Sequence, residues 1–142
     1  MRRSLSVTMV FAALSLAVGS AGQQSHMVKA AGEEVQVIEV TARKYQFNPA
    51  EIRVKKGTKI RLKIRAIDRT HGFRISLYPE RAERSGAPGL RFASQHESWK
   101  LEKDREQVIE FIAERPGTYP FKCSVSCGLG HRRMKGQLLV EE

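Results

Sequence analysis

Thr58-Lys59-Ile60-Arg61-Leu62-Lys63-Ile64-Arg65-Ala66-Ile67 alternates apolar and basic side chains with a period of two. Ile60, Leu62 and Ile64 fall on one face; Lys59, Arg61, Lys63 and Arg65 fall on the other. That pattern predicts a half-buried strand in an antiparallel sheet, apolar face to a core and basic face to water. Working outward, the neighbours read the same way. Upstream, Val35, Val37 and Ile38 to Val40 predict a first strand, and Ile52 with Val54 a second, ended by Gly57. Downstream, Phe73, Ile75 and Leu77 continue after a turn, and Val108, Ile109, Phe111 and Ile112 predict another strand. Pro116-Gly117 is a turn, Thr118 to Cys123 follows as a strand, and Gln137 to Val140 closes the chain. Short strands, turn residues between them and no long amphipathic helix predict an all-β sandwich. Residues 78 to 105 are polar and Arg-rich, and read as a long surface excursion with one short strand or helix around Trp99.

The chain has 142 residues, 41% hydrophobic and 28% charged, a balance that excludes a wholly disordered protein and allows one domain. Its start reads as a targeting segment. Arg2 and Arg3 precede an uncharged, mostly apolar run from Leu5 to Val18, and small residues follow at Gly19 to Gly22. This is the order of a secretory signal peptide over 1–22, and the run is short for a membrane span. An uncleaved anchor is the competing reading; the absence of Cys at the exit excludes a lipidated one. Residues 23–34 read as a flexible tether and 35–142 as the folded domain. After cleavage, 23 basic and 15 acidic side chains leave +8, with no later segment able to span a membrane. A periplasmic or secreted location follows, which argues against nucleic acid as a partner. Free thiols there tend to oxidise, so the two Cys residues mean a disulfide, a metal site or a liability.

The chemistry is concentrated in Cys123-Ser124-Val125-Ser126-Cys127-Gly128-Leu129-Gly130-His131-Arg132-Arg133-Met134. Two thiols, an imidazole and a thioether are soft or borderline ligands that suit copper. Carboxylates are absent from this window, against magnesium, calcium or a hydrolytic zinc site. Gly128 and Gly130 allow the tight turns that let these side chains converge. His71, in Asp68-Arg69-Thr70-His71-Gly72-Phe73 between two expected strands, supplies a second imidazole from across a sandwich. Several readings compete at this point. A Cys123–Cys127 disulfide leaves His131, Met134 and the glycines unexplained. A mononuclear blue-copper site uses Cys127, His131, Met134 and His71, and leaves Cys123 spare. A thioredoxin-like copper chaperone requires βαβ units that the pattern lacks.

Cys-x3-Cys-Gly-x2-His-x2-Met, with the earlier Asp-x2-His-Gly-Phe, resembles the binuclear copper A site of cytochrome c oxidase subunit II and of the C-terminal domain of nitrous oxide reductase. Pro116-Gly117-Thr118-Tyr119 and Phe47-Asn48-Pro49 are similar to features of the same cupredoxin-like framework. The resemblance spans roughly Val35 to Val140 and implies a cupredoxin-like Greek-key β-sandwich. It implies two copper ions bridged by Cys123 and Cys127, with His71 and His131 each binding one. Met134 and the Val125 carbonyl would be weak axial ligands; subunit II has Glu at the Val125 position, but the main chain supplies the oxygen. The implied role is electron transfer, as a carrier or as a soluble subunit II-like module, not an enzyme by itself. The runner-up is a copper chaperone or store for oxidase assembly.

Several residues outside the motif carry smaller expectations. His96 reads as a surface residue, and Trp99 as packing the excursion. Tyr45 and Phe47 stand where subunit II carries an aromatic cluster through which electrons arrive. The basic row Lys59, Arg61, Lys63 and Arg65 reads as a solvated strand face, or as a surface for an acidic redox partner or a membrane oxidase or reductase complex.

Overall fold

The computed structural model describes residues 35–94 and 96–142. The signal peptide and tether expected at 1–22 and 23–34 lie outside the described residues. Ten strands form two sheets: β1 (Val35–Arg43), β2 (Gln46–Asn48), β3 (Glu51–Lys55), β4 (Lys59–Ala66), β5 (His71–Ile75), β6 (Leu90–Phe92), β7 (Ser98–Leu101), β8 (Glu106–Ala113), β9 (Gly117–Lys122) and β10 (Lys135–Glu141). A single 3-10 turn, His131–Arg133, is the helical element among the described residues. One sheet runs β2-β1-β4-β8-β6, the other β3-β10-β9-β5-β7.

The alternation of the opening stretch sets the core. Ile60, Leu62, Ile64 and Ala66 on β4 are all buried, as are Ile109, Phe111 and Ala113 on β8 beside it. They meet Phe73 and Ile75 of β5, Tyr119 and Phe121 of β9, and Leu138 and Val140 of β10. Phe47, Phe73 and Phe121 contact one another with centroids 5.3 to 5.7 Å apart, two of the three pairs edge-to-face. Phe47 is therefore a core residue.

Two expectations are corrected. β4 pairs antiparallel with β8 but parallel with β1. The chain leaves β1 through β2 and crosses to the other sheet as β3 before returning, so no tight hairpin dictates an antiparallel neighbour. The 78–105 excursion is also more than a surface feature. It adds β6 to an edge of one sheet and β7 to an edge of the other, and Leu90 and Leu101 are fully buried. The expected short strand around Trp99 is β7, and Trp99 packs on Phe73 and Phe92. The basic face of β4 is solvated but partnered: Arg61 pairs with Glu110 at 2.6 Å and Lys63 with Glu106 at 3.8 Å.

Candidate metal centre

β9 ends at Lys122, and the chain turns back through 123–134 into β10, its antiparallel neighbour. That return is pinned at its base by the Cys123 N–H donating to the Met134 carbonyl at 2.9 Å. The hairpin therefore begins with one sulfur residue and ends with another, both buried. β5 runs beside β9 and starts at His71, so the turn between β4 and β5 lies against the same loop.

The six expected site residues divide by distance. Cys123 Sγ lies 3.6 Å from Cys127 Sγ and 3.1 Å from the Val125 carbonyl oxygen. Cys127 Sγ lies 3.8 Å from His131 Nδ1 and 3.9 Å from Met134 Sδ. His71, Cys123 and Cys127 offer ligand atoms that all lie within 4.8 Å of one another. Both thiols are free. His131 is half-exposed at the rim, whereas His71, at 0% exposure, closes the inner side.

The orientation of His71 follows from its hydrogen-bond partner. Nε2 lies 2.7 Å from Asp68 Oδ1. Burial works against ionisation of Asp68, but hydrogen bonds from His71 and the Lys44 N–H outweigh it and hold the carboxyl below its ordinary range. An ionised carboxylate can only accept, so Nε2 donates to it, and in the neutral ring Nδ1 is the nitrogen with the lone pair. Nδ1 is buried and has no hydrogen-bond partner. A buried acceptor without a hydrogen-bond partner is costly, and this one stands beside two sulfurs, in a group that could hold a metal ion. Carboxylate–imidazole–metal relays are built in this way. Burial, with the neighbouring Cys123 thiol adding to it, pushes the Cys127 thiol up to about 11. Binding of a metal would displace that proton, because thiolate is the ligand form. The donor set, two sulfurs with imidazole and thioether, fits copper.

Three contributors were not assigned roles from sequence. Asp68 orients His71; its spacing, i to i+3 across a turn, was the available signal. Gly72 donates its N–H to Cys123 Sγ at 3.3 Å, and a Cβ there would stand 2.3 Å from Ser124 Oγ, so only glycine allows this approach. Arg69 donates to the Cys127 carbonyl at 3.0 Å and ties the two loops together. Tyr45, which stands where subunit II carries an aromatic cluster, lies against the loop that carries the site. A Cβ on Gly130 would sit 2.2 Å from its ring. His96 is exposed, as expected.

The cupredoxin-like domain family matches residues 7–140. Two curated cytochrome c oxidase subunit 2 sequences from Thermus thermophilus are each 28% identical over 111 residues, 78% of this chain. The chain spans 70% of the length of one and 56% of the other. Among solved structures, the periplasmic domain of cytochrome oxidase subunit II from Bradyrhizobium japonicum is similar with a TM-score of 0.55 and 17% identity, over 75% of this chain and 84% of that one. Reduced auracyanin from the photosynthetic bacterium Roseiflexus castenholzii is similar with a TM-score of 0.55 and 20% identity, over 75% of this chain and 98% of that one. At those identities the structural likeness concerns the fold. No helix of the described residues is long and apolar enough to cross a membrane.

Proposed function

Because the chain belongs to the cupredoxin-like domain family, we propose that it is an extracytoplasmic electron-transfer protein with a binuclear copper A site, working as a free carrier or docked on a membrane oxidase. The observation that carries this reading is the pair of buried sulfurs, 3.6 Å apart, with the unpartnered His71 Nδ1 in the same cluster. A site for one copper needs a single thiolate. Here the second sulfur, Cys123, is as buried as the first and receives the Gly72 N–H, a hydrogen bond suited to holding negative charge. His71 and His131 would hold one copper each, with Met134 and the Val125 carbonyl as weak further ligands. Copper held there would supply a one-electron couple.

The chain's own residues do the rest. Asp68 and Gly72 fix the inner imidazole and sulfur, Arg69 and Tyr45 fix the loop, and the buried surroundings keep water from the sulfurs. Because the fold already gathers the sulfurs and imidazoles in one cluster, these side chains would need to move little on gain or loss of an electron. Every donor is a protein group, so the reading assigns no open position for a substrate and no catalysis at the metal.

Copper analysis with electron paramagnetic resonance tests this. Two copper ions per chain and a signal from one electron shared over both are expected. Cys123→Ser should retain Cys127, His131, Met134 and His71 and convert the signal to that of a single blue copper. One copper per chain in the unaltered protein, with one thiol still open to a thiol reagent, would overturn the binuclear reading and leave a blue-copper carrier.

A further inference from the structure

Behind the metal loop, on the outer face of the second sheet, three cations stand side by side. Arg74 of β5 is in register with Lys122 of β9, and Lys122 with Lys135 of β10. Adjacent strands are about 4.8 Å apart, so the row spans about 10 Å. Like charges directly opposite one another destabilise a sheet. Arg74 has a partner in Glu97 at 3.3 Å, but among the described residues Lys122 and Lys135 have no ion pair. The row forms part of the wall of a cleft of about 490 Å³. The segment after β5 and the excursion supply much of the rest, with Arg84 adding a fourth cation and Leu77 and Tyr78 an apolar side. The Tyr78 hydroxyl donates to the Gly86 carbonyl at 3.3 Å and so steadies the wall. One carboxylate thus faces four cations in a cleft within the range of ligand pockets.

We propose that this cleft is a binding site for a small polyanion carrying two or three carboxylate or phosphate groups. The row offers Lys and Arg donors at the spacing of adjacent strands, which suits several anionic groups on one molecule and not a single one. Arg74 and Arg84 can each grip a carboxylate or phosphate with two N–H groups. Occupancy would relieve the repulsion that the sheet otherwise carries. The site is distinct from the metal centre in its residues, and its binding does not depend on the copper reading.

Calorimetric titration of the full chain at low salt tests this, with backbone amide shifts recorded by nuclear magnetic resonance. Trimesate (a benzene ring with three carboxylates) and pyrophosphate are the two probes, which separate carboxylate from phosphate preference; benzoate is the monovalent control. At least one probe should saturate a single site, shift the amides around Arg74, Lys122 and Lys135, and bind at least tenfold more tightly than benzoate. The double variant Lys122→Gln, Lys135→Gln should lose at least tenfold in affinity and melt at a higher temperature than the unaltered protein, because the repulsion is gone. Failure of both probes to saturate, shifts scattered over the basic surface, or undiminished binding by the double variant would overturn the proposal. An unchanged or lower melting temperature in that variant would overturn its premise of a strained cationic row. The same titration with and without copper should agree, so failure here is separable from failure of the copper A reading.

Discussion

Asp68 holds Nε2 of His71 and so would leave Nδ1 as the nitrogen to bind a metal, although Asp68 itself lies outside the set of expected ligands. Its Oδ1 accepts a hydrogen bond from Nε2–H at 2.7 Å while Oδ2 accepts the Lys44 N–H at 3.0 Å. Removing the carboxylate frees the imidazole to change tautomer and to rotate, and also strips Lys44 of its acceptor. Asp68→Ala is therefore expected to weaken copper binding about 10- to 100-fold, the range typical of groups that orient a metal-bound imidazole. Asp68→Asn keeps an amide oxygen for the Nε2 proton and should recover much of the loss. Competition against a chelator of known affinity measures both. Equal affinity in the unaltered and Ala proteins would mean that packing alone orients His71.

Strand β9 carries the load between core and site, and Tyr119 is its anchor. The side chain is fully buried and its hydroxyl donates to the Arg115 carbonyl at 2.6 Å. Tyr119→Phe leaves that carbonyl without its donor, at a cost of about 1 to 2 kcal/mol. Burial raises the Tyr119 phenol above 10.0, with the Arg115 charge working against it. The folded value thus exceeds the unfolded one, so the hydroxyl's contribution is whole below pH 10 and fades as pH climbs through the folded value. Unfolding curves of the two proteins should differ most near neutral pH and converge in strong alkali; a gap that stays constant would show that the hydrogen bond is not its source. The elements most legible in the sequence were those with clean alternation, β4 above all, because period two has one physical meaning when one face is buried. β2 and β6, at three residues each, are too short to show a period, and Leu90 and Leu101 are isolated apolar residues in a polar stretch. The Cys, His and Met residues of the site were legible because few other jobs require them at that spacing. Asp68, Arg69 and Gly72 were not, since their roles depend on which loop faces which.

Across the whole molecule, charge is abundant but unevenly available. The net charge is +10 over the chain, yet part of the row on β4 is neutralised by Glu110 and Glu106 of β8. At the metal end the situation differs. Leu129 is wholly exposed at the loop tip, and the exposed Arg132 and Arg133 follow the half-exposed His131. An apolar tip beside guanidinium groups with no ion pair among the described residues suits a redox partner with an acidic rim around an apolar contact. If electrons pass at this end, association with an acidic carrier should be fast at low salt. It should slow as salt rises, because screening shortens the field to about 10 Å at 0.1 M. A basic cytochrome should show the opposite trend. The position of the charges adds a sharper expectation than their sum. Arg132→Gln with Arg133→Gln should slow the acidic carrier by roughly tenfold at low salt and flatten its salt dependence, within the range that steering contributes. Arg61→Gln, which removes a charge already paired with Glu110, should change the rate little. Stopped-flow electron transfer over a salt series distinguishes the cases. Equal slowing by the two sets of variants would mean that net charge steers the encounter, and no effect of either would move the docking surface away from His131.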